Sequence, residues 1–176
     1  MNSNIANFLN KLKYQLDKKN IQHKKINDNN SMYITNIYQE NIQINEEMEL
    51  YINEEKFYNY NIKPLTKIYQ QTINNINHHK IIINISSSFI LNLNENIKGY
   101  TSLKLYINDT LFTVNEIGIN NKEYRNLNLN YNVEIDENES YDINLILDGG
   151  IISESLLLEK PKIQSNYCSI SISTYF

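Results

Sequence analysis

The stretch DENESYD sets oxygen-bearing side chains at alternate positions, Asp136, Asn138, Ser140 and Asp142, a spacing by which a tight loop can wrap a calcium ion. The glycine that a helix-loop-helix calcium loop needs at its sixth position is replaced by Tyr141, and the flanking residues alternate like strands. A solvated strand-to-strand turn is therefore the commoner reading, with calcium as its alternative, and no metal or other cofactor is expected. His78 and His79 are adjacent and lack a Cys, His or acidic residue at zinc spacing, and His23 stands alone. With no serine in a glycine-flanked elbow, a Ser-His-Asp triad has no local signature. Gly99, Gly118, Gly149 and Gly150 form neither phosphate-cradling pattern and are expected in turns with positive φ. Carboxylates crowd NEEMELYINEE, yet acidic solvated faces are commoner than a paired acid and base. The chain is expected not to be an enzyme.

Asn and Ile each supply roughly one residue in six, whereas Ala6 is the only alanine and Arg125 the only arginine. That skew follows codons rather than folding needs and points to a very AT-rich genome. The net charge is −4 and the lysines form no broad basic face, so nucleic acid is not expected as a partner. The single cysteine, Cys168, excludes an intrachain disulfide. The start MNSNIANFLNKLKYQL has neither the apolar run nor the cleavage site of a signal peptide, and no stretch is long enough to span a bilayer. The expectation is a chain made in the cytoplasm with no membrane partner. Fourteen tyrosines, several in YINEEKFYNYN, could form a sugar- or protein-binding surface, although codon bias and strand propensity account for most of them.

The elements that would position such residues follow from periodicity. Ser3 can cap a helix whose Ile5, Phe8, Leu9, Leu12 and Leu16 share one face. Short strands are expected at MYITNIY and IQI, then a hairpin about Asn53, Glu54 and Glu55. After Pro64, the residues Leu65, Ile68, Tyr69, Thr72, Ile73 and Ile76 predict a second helix over 64–77. From Lys80 the period becomes two. Ile81, Ile83, Ile85, Phe89, Leu91 and Leu93 share a phase broken by SSS, and Leu103, Leu105 and Ile107 lead through NDT into a hairpin returning at Phe112 and Val114. Leu127, Leu129, Tyr131, Val133 and Ile135 alternate with polar residues. Tyr141, Ile143, Leu145 and Leu147 form a strand expected to end at DGG, before another opens at Leu156 and Leu158. In the final strand Cys168 shares a phase with Ile170, Ile172 and Phe176, marking it as a buried hydrophobe in a C-terminus held by the sheet.

The expected fold is mainly β with two helices (α+β): an antiparallel, jelly-roll-like β-sandwich over 80–176, preceded by a helical and hairpin segment over 1–79. The run from GYTSLKLYIND through NLNLNYNVEIDENESYDINLILDGG to YCSISISTYF resembles jelly-roll modules of virion proteins, as in phage fibre tips, head decorations and trimeric sandwich heads. The resemblance implies a non-enzymatic structural component of a virus particle, such as a capsid decoration, head fibre or tail connector. Its implied partners are other virion proteins or further copies of itself, a trimer among the options, and its implied location is the virion. Ile5, Phe8, Leu9, Leu12 and Leu16 would be its assembly face. The alternative is a carbohydrate- or protein-binding β-sandwich acting outside a virion.

Overall fold

The computed structural model describes residues 34–54, 56–74, 80–136 and 139–175. They form ten strands: β1 (Ile34–Asn41), β2 (Asn45–Glu54), β3 (Phe57–Ile62), β4 (Thr66–Asn74), β5 (Lys80–Asn92), β6 (Gly99–Ile107), β7 (Thr110–Ile119), β8 (Arg125–Glu134), β9 (Ser140–Ser153) and β10 (Lys162–Tyr175). Every pairing is antiparallel.

The expected α+β class is corrected, because no helix occurs among the described residues and 66–74 is β4. A bulge explains the misreading. In the β4–β9 ladder Lys67 faces Ile146 and Tyr69 faces Leu145, so Ile68 is an extra residue that advances the side-chain phase by one. Thr66, Tyr69 and Ile73 then face the same way at intervals of three and four, which imitates a helical stripe. The β-branched and aromatic content of TKIYQQTIN agrees with a strand. The helix expected after Ser3, with its face Ile5, Phe8, Leu9, Leu12 and Leu16, lies outside the described residues.

The strands form two sheets. In the first, β10 is flanked by β5 along one edge and by β1 and then the start of β2 along the other, with β8 beyond β5. In the second, β9 lies between β6 and the successive pair β4 and β3, with β7 beyond β6 and the rest of β2 beyond β3. Strand β2 passes from one sheet to the other, pairing with β10 through Glu47 and with β3 from Met48. The pairs are nested: β6–β7 innermost, then β5–β8, then β3 and β4 with β9, then β1 and β2 with β10. This is the rolled arrangement of a jelly roll, and residues from both the 1–79 and the 80–176 segments build it.

Between the sheets lie Ile81, Ile83, Ile85, Phe89 and Leu91 of β5 and Ile170 and Ile172 of β10, facing Leu103 and Leu105 of β6 and Ile143, Leu145 and Leu147 of β9, all buried. Each such side chain removed from water contributes about 1.5–3 kcal/mol before entropy is charged. The far edges approach one another. Asn115 Nδ2 on β7 donates to the Asn128 carbonyl on β8 at 2.6 Å, and the rings of Phe112 and Tyr131 meet edge to face at 5.6 Å.

Four further expectations are corrected. Strand β5 runs straight through SSS, where buried Ser87 donates its hydroxyl to the Leu127 carbonyl. Strand β9 continues through DGG to Ser153. Beyond it, Leu157 turns inward while Leu156 and Leu158 are exposed, and the Leu157 N–H donates to the Tyr60 hydroxyl at 3.0 Å. The glycines have no positive φ; among the described residues that conformation belongs to Leu65, Asn108 and Asp109. Gly149 is needed for close approach, since a Cβ there would strike the Ile163 side chain and sit 2.9 Å from the Tyr100 carbonyl oxygen.

Candidate binding face

Alternation places Tyr100, Ser102, Lys104 and Tyr106 of β6 on the outer face of the second sheet. The ladders set Tyr100 opposite Gly150, Ser102 opposite Asp148, Lys104 opposite Ile146 and Tyr106 opposite Asn144. On the other side of β9, Asn61 faces Gly150 and Asn59 faces Ile152, while Ile52 faces Asn59 one strand further out. Between the Asn61–Gly150 and Thr66–Leu147 pairs the chain leaves β9 and turns through Lys63, Pro64 and Leu65. The turn needs a left-handed residue, Leu65, at φ 59°.

Two concavities result, sharing Asn61 and Tyr100. One, of about 340 Å³, lies between Tyr51, Leu65, Tyr106 and the Lys104–Asp148 pair. The other, of about 470 Å³, lies over Asn59, Lys98, Gly150 and Ile152. Glycine is required beneath Tyr100, because a Cβ at Gly150 would fall on Asn61 Oδ1 and 3.0 Å from the Tyr100 ring. Gly118 flanks Tyr100 on its other side in the ladder. The Asn61 side chain and the Tyr100 ring thus lie directly over the Gly150 backbone.

Its polar centre is fixed. Lys104 Nζ donates to Asp148 Oδ2 at 2.6 Å, and the Gly149 N–H donates to Asp148 Oδ1 at 2.8 Å. The hydrogen bond that Lys104 donates to Asp148 raises the pKa of its ammonium above the ordinary value, against the opposing effect of burial. The Tyr100 phenol is also raised, first by burial and then by the carboxylates of Asp148 and Glu116. It stays a neutral hydroxyl at physiological pH. Asn59 Oδ1 and Asn144 Oδ1 are buried without a hydrogen-bond partner among the described residues. Ordinary packing rarely leaves such acceptors.

Beside the groove runs the β2–β3 hairpin, where Leu50, Tyr51, Ile52 and Phe57 are all exposed. Tyr51 is the extra residue of a bulge between Leu50 and Ile52. Past Met48, whose N–H donates to the Pro161 carbonyl, no strand among the described residues pairs with the outer edge of β2. The outer face of the first sheet is different in kind, a lattice of uncharged polar groups in which Ser86 donates to Asn128 Oδ1 and Asn130 to Asn84 Oδ1.

The residues singled out by spacing fare differently. His23, His78, His79 and Asn138 lie outside the described residues. Asp142 Oδ1 accepts from Thr72 Oγ1 at 2.6 Å and Ser140 donates to Asn74, so both tie the acidic turn to β4. Tyr141 is buried, its hydroxyl donating to Glu139 and accepting the Asp136 N–H. Among the described residues no three His, Cys, Asp or Glu side chains gather as a metal site, and no helix is long and apolar enough to cross a membrane. In NEEMELYINEE, Glu47 meets Lys162 at 2.8 Å, and that hydrogen bond holds its carboxyl below the usual range. Of the tyrosine-rich segment, Tyr51 reaches the groove while Tyr60 is core. Tyr100, Lys104 and Asp148 were not singled out by spacing, because only the β6–β9 register brings them together.

No family model and no curated protein matches the sequence. Among solved structures, that of the infectious bursal disease virus Gx strain is 9% identical over 87% of this chain, with a TM-score of 0.44, and this chain spans 37% of its length. The CBM36-1 domain of a multidomain xylanase from the hindgut metagenome of Trinervitermes trinervoides is 9% identical, covering 76% of this chain and 96% of that one at a TM-score of 0.30. A CBM4 structure is 12% identical, covering 89% and 94% at a TM-score of 0.31. Each is a likeness of strand layout alone.

Proposed function

We propose that the protein is a non-enzymatic structural component of a virus particle, a capsid decoration, head fibre or tail connector acting through protein contacts. The observation that carries the reading is the β2–β3 hairpin, with Leu50, Tyr51, Ile52 and Phe57 exposed beside a strand edge that no described strand pairs with past Met48. The free N–H and C=O groups of such an edge invite another chain, and the exposed apolar side chains beside it form a patch that a neighbour would cover. An assembly protein leaves it for a neighbour. The codon skew toward Asn and Ile supports an origin in an AT-rich genome, and the nested two-sheet body supplies the rigidity that a particle component needs. Mass spectrometry of particles purified from the source tests the proposal: this chain is expected at a fixed ratio to the major shell protein. Its absence from purified particles, with the protein present in the surrounding lysate, refutes it.

A further inference from the structure

We propose that the groove on the outer face of the second sheet binds a neutral oligosaccharide, with Tyr100 as its stacking platform and Lys104 and Asp148 as its hydrogen-bonding groups. Of the exposed residues on the assembly hairpin, Tyr51 also lines this groove, whereas Tyr100, Lys104 and Asp148 lie on β6 and β9 away from that edge.

Length, charge and hydrogen-bonding inventory converge on that ligand. Tyr100 and Tyr106 stand six residues apart on one face of β6, roughly 20 Å at strand rise, a span suited to several linked sugar rings. A pyranose offers an apolar C–H face to an aromatic ring and a rim of hydroxyls that donate and accept. The ion pair at the centre matches such a rim, since one hydroxyl can donate to Asp148 while its neighbour accepts from Lys104, 2.6 Å away.

The alternatives fit less well. A charged ligand would compete with one member of the Lys104–Asp148 pair and strand the other. An extended peptide takes its affinity from a free strand edge, but β6 and β9 are hydrogen-bonded along both edges. An amphipathic helix needs a continuous apolar trough, and this one is interrupted at its middle by the ion pair.

The test uses the full chain on a printed array of neutral and acidic glycans, followed by titration calorimetry with the strongest neutral oligosaccharide. Retention of at least one neutral series is expected, with Tyr100→Ala weakening binding about tenfold or more and Asp148→Asn weakening it as well. Tyr51→Ala, at a rim residue 60% exposed, is expected to weaken binding without touching the fold. It answers the question if Tyr100→Ala does not fold. A folded wild type that retains no neutral glycan overturns the proposal. So does retention of acidic glycans alone, or wild-type affinity in the folded variants.

Discussion

Cys168 shows how far a single residue can be read. Its shared phase with Ile170 and Ile172 was visible in the sequence, and the side chain is buried in the core beside them. Burial pushes its thiol up to about 11, against an ordinary 9.0. The folded state therefore keeps a proton that the unfolded chain gives up, so this contribution to stability is intact below pH 9 and lost as the pH rises toward 11. Tyr69, pushed up to about 12 by burial and by the nearby charges of Glu40 and Tyr38, extends the loss further into alkali. We expect the native thiol to resist an aromatic disulfide reagent at pH 8 and to react at once in urea. Cys168→Ala should flatten the fall of the melting temperature between pH 9 and 11. An unchanged slope would assign the alkaline loss elsewhere. The groove residues were not legible at this scale, because Lys104 and Asp148 are separated by 44 positions and no local pattern connects them.

At the scale of elements, strict alternation was a faithful guide. Strand β8 buries Leu127, Leu129 and Val133 as its period of two requires. The NDT hairpin is there too, and its chemistry is clear: Ile107 pairs with Thr110, leaving Asn108 and Asp109 as a two-residue turn with φ of 48° and 61°. Two positive values match the turn whose twist suits a hairpin and whose favoured residues are Asn followed by Gly. Asp109→Gly is expected to raise stability by about 0.5 kcal/mol, and Asp109→Val to lower it by about 1–2 kcal/mol, both measured as shifts of the urea midpoint. What misled was the bulge at Ile68, which turned a strand into an apparent helix, and the DGG triplet. Glycine pairs suggest turns, yet at Gly149 and Gly150 they let β9 pass beneath Tyr100 and against Ile163. Whether a glycine is there for its φ or for its missing Cβ is decided by neighbours distant in sequence.

For the whole molecule, the antiparallel sandwich was legible but the all-β class was not, nor was the pairing of early strands with late ones, since register between distant segments leaves no periodic trace. The assembly reading belongs at this scale. Ile52→Lys places a charge on the exposed hairpin, 47% accessible, at no cost to the core. We expect it to keep the melting temperature within about two degrees, as surface changes usually do, while lowering the assembled mass by light scattering or the copy number in particles. An unaltered mass and copy number would remove the hairpin from the contact.

Strand β10 has a consequence for how the protein comes into being. It lies between β5 and the β1–β2 line, so the first sheet is missing an interior member until residues 162–175 have left the ribosome. Up to that moment β1 lacks its one hydrogen-bonded neighbour among the described strands, while β6–β7 and β5–β8 can already zip locally. Maturation should then be limited by a late, long-range closure of the kind that makes high-contact-order β proteins slow to fold. Until that closure, Ile81, Ile83 and Ile85 lack their β10 cover, making the nascent chain a natural client for a holding chaperone.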